Sequence, residues 1–224
     1  MPHTFHGMQL LPDRRPPRQL YILLHGEGAT PSDLLPLAKR LRERYPDAAF
    51  LLPDGFQPFE GSDYRRQWYG GKDISDENLP GRVAAAIAML HAIIKSAQDE
   101  LNVLPPDTAL LGYSQGATLA LEYSAAHDGG VGRVISFSGR YATLPDKAPE
   151  LTTLHLLHGQ DNDIIPVAHA HAAYERLSSL HGDVTIDIAF GVGHELHPAL
   201  IERAITRLET CVPLRSWERA LGLR

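Results

Sequence analysis

Cysteine is almost absent from this chain: one residue, Cys211, among 224. A single thiol closes no internal disulfide, a usage that fits a reducing compartment. Long apolar runs are lacking too. No stretch approaches the ~20 residues of a membrane span, and the start Met1-Pro2-His3-Thr4-Phe5-His6 lacks the charged and apolar regions of a secretory signal. The expectation is a soluble, cytoplasmic protein with no membrane span. Basic runs are missing. The 21 Lys and Arg against 27 Asp and Glu leave a formal charge of −6, which argues against a nucleic-acid partner. The pair Arg14-Arg15 reads as solvated. A metal site is not expected, because one cysteine excludes a Cys-rich zinc site. His194-Glu195-Leu196-His197 is also one residue short of the His-Glu-x-x-His spacing. Repeats, low-complexity segments and linkers are absent as well, so residues 1–224 read as one domain.

What is present is a chain that is 43% hydrophobic and long enough for a substantial core. Strands and helices alternate along it. Leu20–Leu24, Ala48–Leu52, Ala109–Tyr113, Val131–Phe137, Leu154–Gly159 and Val184–Ala189 read as strands, most of them as short buried runs. Helices are expected from about Asp33 or Pro36 to Arg44, from Val83 to Gln98, from Ser114 to about His127, from about Val167 to Leu180, and from Pro198 to about Thr210. In the second of these, Val83, Ile87, Leu90, Ile94 and Ala97 recur at helical spacing, and Met89 and Ile93 read as further core. The tail with Leu214, Trp217 and Leu221 reads as a small amphipathic helix. Residues 1–18 hold a short edge strand at most. The alternation predicts an α/β fold: a mostly parallel central sheet with helices on both faces. Sites in such sheets gather at the carboxyl ends of the strands.

One stretch carries the chemistry. Ala109-Leu110-Leu111-Gly112-Tyr113-Ser114-Gln115-Gly116-Ala117 is an apolar run, a Gly-x-Ser-x-Gly and the start of a helix. That is the context of a nucleophile elbow, in which a strained turn exposes the serine hydroxyl. A chance Gly-x-Ser-x-Gly in a loop is the alternative, and the flanks argue against it. Serine needs a base, and the base needs an orienting partner. His194, on a glycine-flanked turn after the last strand, has the right address. His169, His171 and His181 read as solvent-facing, and His155 as packed. The turn Gln160-Asp161-Asn162-Asp163 supplies the acid, in the order Ser, acid, His. The backbone N–H of Gln115, with that of Glu27 in the turn His25-Gly26-Glu27-Gly28, would form an oxyanion hole. The long stretch from Phe56 to Asn78 carries Trp68 and Tyr69. These either line an acyl pocket as substrate-binding residues or anchor the loop to the core.

Taken together, Leu24-His25-Gly26-Glu27-Gly28, Arg66-Gln67-Trp68-Tyr69, Gly112-Tyr113-Ser114-Gln115-Gly116-Ala117, Gly139-Arg140-Tyr141-Ala142, Leu157-His158-Gly159 and Gly193-His194 make the chain recognisable. It resembles the phospholipase/carboxylesterase family of α/β-hydrolases, which includes the acyl-protein thioesterases. The Gly-Arg-Tyr-Ala stretch is similar to a narrower group, the bacterial YpfH-type esterases. The resemblance runs from about residue 20 to 210. It implies an α/β-hydrolase fold without a large cap domain, with Ser114 as nucleophile, His194 as base, and Glu27 and Gln115 as oxyanion donors. Trp68 would lie near the site. It implies hydrolysis of small-molecule carboxylic esters, with thioesters and lysophospholipids as family alternatives. No cofactor is implied, and homodimers occur in the family. One departure stands out. The family's triad aspartate lies three residues after the glycine of His-Gly, and that count from Gly159 ends on Asn162. Three readings follow. A one-residue adjustment of the turn brings in Asp163, which is the reading preferred here; Asp161 serves; or Asn162 occupies the slot and activity is low. In the last case a weakly active binding protein on the same fold is the competing function.

Overall fold

The computed structural model describes residues 6–13 and 16–222. Arg14 and Arg15 and the first five residues lie outside them. The elements run β1 (Gly7–Leu10), β2 (Gln19–Leu24), α1 (Leu35–Arg44), β3 (Ala48–Pro53), β4 (Gln57–Pro58), β5 (Arg66–Gln67) and α2 (Leu79–Leu101) in the first half. The second half runs β6 (Thr108–Tyr113), α3 (Gln115–Ala126), β7 (Arg133–Phe137), β8 (Thr153–Gly159), α4 (Ala168–Ser179), β9 (Val184–Ala189), α5 (Pro198–Thr210) and α6 (Leu214–Ala220).

Seven strands form one sheet in the order β1-β3-β2-β6-β7-β8-β9. Only β1 is antiparallel, on the outer edge of β3. The others pair in parallel, because each crossover carries a helix or a long connection. Alternation along β2 shows why both faces must be covered. Leu20, Ile22 and Leu24 enter one core, and Tyr21 and Leu23 enter the other. The first core is closed by Val83, Leu90 and Ile94 of α2, Leu119 and Tyr123 of α3, and Leu177 of α4. The second is closed by Leu37 and Leu41 of α1 and by Leu200, Ala204 and Ile205 of α5. Each fully buried Leu or Ile contributes roughly 1.5–3 kcal/mol before entropy is counted.

The strand order reverses between β2 and β6, since β3 lies on one side of β2 and β7 on the far side of β6. The loops after β2 and β6 therefore diverge and leave a crevice at their carboxyl ends. Ser114 and the turn at Gly26-Glu27 sit at that switch point.

Helix α2 is longer than its apolar spacing suggests. It begins at Leu79 with Pro80 in the first turn, where a missing N–H costs nothing, and ends against Asn102, whose φ of 51° caps it left-handed. With 23 residues it is long enough to cross a membrane, and its best window reaches a mean hydropathy of 1.2. Val83, Ala86, Leu90, Ile94 and Ala97 pack one stripe of it into the core. Met89 and Ile93 depart from the expectation of further core. Met89 is 51% exposed and Ile93 only half-buried, because both lie off the stripe that faces the sheet. The tail forms the short helix α6, with Trp217 exposed. The two-residue ribbon β4–β5 has no counterpart in the sequence reading.

Candidate active site

Ser114 joins β6 to α3 with φ 54° and ψ −117°. Left-handed backbone at a residue with a Cβ costs of order 1–3 kcal/mol and needs surroundings that enforce it. They do so here. The Ser114 N–H donates to Phe137 O of β7 at 2.9 Å, and the Ser114 carbonyl accepts from Ala117 and Thr118, each at 3.0 Å. The two motif glycines leave no space for side chains. A Cβ on Gly112 would lie 2.3 Å from Gly116 O, and one on Gly116 would lie 2.3 Å from Leu24 O. Helix α3 can start this close to β2 and β6 only because both residues lack a Cβ.

His194 meets the serine: its Nε2 lies 2.9 Å from Ser114 Oγ. Its Nδ1 lies 3.1 Å from Oδ1 of Asn162. The backbone N–H groups of Ile164 and Ile165 donate to that same Oδ1 at 3.1 and 2.9 Å. Two N–H donors identify the carbonyl end of the amide, so Nδ1 of His194 carries the proton and donates. Nε2 is then bare and accepts from the Ser114 hydroxyl. The tautomer a general base needs is thus imposed by a neutral residue.

The expectation that Asp163 or Asp161 would hold the imidazole is corrected by this geometry. Asn162 is buried in the turn, whereas Asp161 and Asp163 are exposed and make no hydrogen bond to His194. The register leaves no slack for a one-residue slip. The β8–β9 ladder continues past its ends, with Gln160 N–H donating to Ala189 O and Asp161 N–H to Val192 O, both at 2.9 Å. The turn is pinned up to Asp161, so Asn162 is the residue that faces the histidine loop. Asp163 still acts at a distance. Burial lowers the pKa of His194 below the ordinary imidazole value, and the Asp163 charge partly opposes that. Below Asn162 lies His158, fully buried, its Nε2 at 2.7 Å from Ile165 O and 3.2 Å from Asn162 Nδ2. Burial keeps this imidazole neutral by lowering its pKa.

The turn after β2 lies directly against Ser114. A Cβ on Gly26 would come within 3.4 Å of Ser114 Cβ. Neither Glu27 N–H nor Gln115 N–H has a hydrogen-bond partner among the described residues. His25 shapes this turn from inside: its Nδ1–H donates to Gly26 O at 2.7 Å, and its Nε2 accepts from Gly55 N–H at 3.1 Å. Burial lowers its pKa as well.

Of the two readings of Trp68 and Tyr69, pocket lining or anchors of the loop, their burial fits the anchors. They are 1% and 4% exposed. Trp68 Nε1 donates to His25 O at 2.7 Å. The Gln115 side chain grips both: its Oε1 accepts from Trp68 N–H at 2.7 Å and its Nε2 donates to Tyr69 O at 3.0 Å. The Gln of Gly-Tyr-Ser-Gln-Gly is thus the clamp that holds the long loop to the elbow. That role of its side chain was missed in the sequence, where the residue was valued for its N–H alone. The loop histidine is fixed in a similar way by a residue the sequence did not single out, as Tyr113 OH donates to His194 O at 2.9 Å.

A doubly covered, mostly parallel sheet with a serine at its topological switch defines an α/β-hydrolase. Residues 7–212 match the sequence profile of the Phospholipase/Carboxylesterase family, and the chain belongs to that family. Esterase YpfH of Escherichia coli (strain K12) is 37% identical over 217 residues, covering 97% of this chain and 93% of that protein. Among solved structures, esterase PE8 superposes with a TM-score of 0.85 at 25% identity, over 93% of this chain and 99% of that one. The Bacillus cereus carboxylesterase shares the fold, with a TM-score of 0.75 at 18% identity over 90% of this chain and 92% of that one. The protein is a carboxylesterase-type hydrolase.

Proposed function

We propose that the protein hydrolyses carboxylic esters of small to medium acyl chains through an acyl-enzyme on Ser114, with His194 as base and Asn162 in the place of the triad acid. The contact of Ser114 Oγ with a histidine nitrogen whose partner ring nitrogen is held by Asn162 carries this reading. The hydroxyl gives its proton to Nε2 as Oγ forms a bond to the ester carbonyl carbon. The oxyanion is taken by the N–H groups of Glu27 and Gln115, assisted by the N-terminus of α3. His194 then passes the proton to the leaving alkoxide as the carbon–oxygen bond breaks. Water, activated by the same nitrogen, hydrolyses the acyl-enzyme. The reaction consumes only ester and water.

A neutral amide sets the imidazole correctly but stabilises imidazolium less than a carboxylate does. In serine proteases the Asp-to-Asn exchange costs about 10⁴ in rate, and much of that comes from the wrong tautomer. Here the carbonyl faces the ring, so that part of the loss is avoided. The weakly active binding protein remains the second reading, and Asn162 is the observation that favours it. Labelling with a fluorophosphonate, with Ser114→Ala as control, separates the two. A stoichiometric adduct lost in the variant supports the hydrolase; a folded wild-type protein that takes no label supports binding alone. Thioester and lysophospholipid substrates, offered beside p-nitrophenyl esters, decide among the activities of the family.

A further inference from the structure

The loop after β7 lies beside the elbow, since Phe137 O accepts the Ser114 N–H. It packs on the first turn of α3. A Cβ on Gly139 would fall 2.5 Å from Ala117 Cβ, and Arg140 N–H donates to Thr118 Oγ1 at 3.4 Å. From there the Arg140 side chain reaches across to the 70–78 segment, where Nη1 donates to Asp76 Oδ1 at 2.9 Å. The two partners are unlike. The Arg140 side chain is 20% exposed and Asp76 is 85% exposed. Arg140 is the least exposed arginine in any ion pair among the described residues, yet it uses one donor atom only. Its Nε and Nη2 meet no acceptor among the described residues, whereas Arg40, Arg44 and Arg207 each engage a carboxylate through two nitrogens. A guanidinium fork is built for two parallel bonds to one carboxylate. The bond to Asp76 sets the fork against the long loop that follows Trp68 and Tyr69.

On the reading that Ser114 is the nucleophile, we propose that Arg140 selects esters bearing a carboxylate, and that Asp76 occupies that carboxylate's position until substrate displaces it. Both oxygens of an incoming carboxylate would take the free donors, and Asp76, already in water, gives up one solvent-screened bond. Arg140 is then a specificity-determining residue anchored to Thr118, one helical turn after Ser114.

The test compares two ester pairs matched in size. Mono-p-nitrophenyl adipate against p-nitrophenyl hexanoate puts the carboxylate in the acyl part, and 3-carboxyphenyl acetate against phenyl acetate puts it in the leaving group. Arg140→Gln is expected to lower kcat/KM for at least one anionic ester by tenfold or more, chiefly through KM, with its neutral partner within twofold of wild type. Asp76→Asn is expected to raise kcat/KM for that anionic ester about two- to fivefold. Equal losses on anionic and neutral esters in both variants would make the pair a structural latch and overturn the proposal, as would an unchanged ratio in Arg140→Gln. Turnover of the neutral esters by wild type, and its loss in Ser114→Ala, tests the esterase reading separately. Their hydrolysis with an unchanged ratio removes the anion selectivity and leaves the esterase standing.

Discussion

Oδ1 of Asn162 receives three N–H groups, from Ile164, Ile165 and the imidazole of His194. A site with three donors converging on one oxygen is built to hold negative charge. Asn162→Asp is therefore expected to raise kcat on p-nitrophenyl butyrate by about ten- to a hundredfold, as the carboxylate stabilises the imidazolium formed in the transition state. Asn162→Ala removes the orienting oxygen and should lower kcat by a comparable factor. Asp161→Asn and Asp163→Asn, on either side, should leave kcat within about twofold, since neither reaches the ring. A larger loss in Asp163→Asn than in Asn162→Ala would return the acid to Asp163.

The pH profile follows from the same contacts. The base works only when neutral, so kcat/KM falls on the acid side through the His194 pKa. Burial sets that pKa below the ordinary imidazole value of 6.5. More than half of the maximal kcat/KM should therefore remain at pH 6.5. Removing the Asp163 charge in Asp163→Asn should move the acid limb to lower pH, because that charge favours the protonated ring. Asn162→Asp should move it to higher pH for the same reason. A limb that stays fixed in both variants would contradict the assignment of His194 as base.

The sequence was most readable where the chemistry depends on neighbours along the chain. Gly112, Ser114 and Gly116 lie in one short run, and the elbow follows from what a Cβ would meet there. The continuous apolar runs of β2 and β6 announced a sheet covered on both faces. The acid slot was left open among three readings for a different reason. Asp161, Asn162 and Asp163 are adjacent, and which one faces His194 depends on where the β8–β9 ladder ends, a contact with residues about 30 positions away. Trp68 and Tyr69 were left open between pocket and core for a similar reason. An aromatic residue in a loop carries no mark of whether it faces inward, and the Gln115 side chain that turns these two inward lies 46 and 47 residues away.

That clamp predicts a coupled loss. Gln115→Ala keeps the backbone N–H at the site but strands the buried Trp68 N–H and Tyr69 carbonyl. Each unsatisfied group costs about 1–3 kcal/mol. A drop of roughly 2–4 kcal/mol in unfolding free energy by urea titration is expected, with kcat/KM lowered as the loop that seats the Gly26-Glu27 turn loosens. Unchanged stability would mean that other contacts hold Trp68 in place.

Two glycine substitutions separate folding from catalysis. Gly116→Ala sets a methyl 2.3 Å from a backbone oxygen of β2 and should prevent stable folding. In Gly26→Ala the nearest atoms to the new methyl are the Tyr113 ring at 3.2 Å and Ser114 Cβ at 3.4 Å. It should stay folded, within about 1–2 kcal/mol of wild type, while crowding Ser114 and, on the proposed mechanism, cutting kcat/KM at least tenfold. Thermal melts and kinetics on the same preparations check both, and a fully active Gly26→Ala would show that the turn does not border the reacting carbon.

Acid stability offers a last measurement, away from the site. His155 is buried between β7 and β9, with Nε2 3.2 Å from Arg133 Nη1 and Nδ1 2.9 Å from Thr185 Oγ1. Burial, then the charge of Arg133, lowers its pKa from 6.5 to about 3. Between those two values the unfolded chain binds a proton that the native protein refuses. Stability from this group is therefore complete above pH 6.5 and is lost as pH falls, by up to about 1.4 kcal/mol per pH unit. Urea midpoints should decline from pH 7 to pH 5, and the decline should be shallower in His155→Gln, whose amide can meet both partners without titrating. Parallel declines in the two proteins would place the acid sensitivity on other groups, with His25 and His158 next in line, since burial lowers the pKa of each.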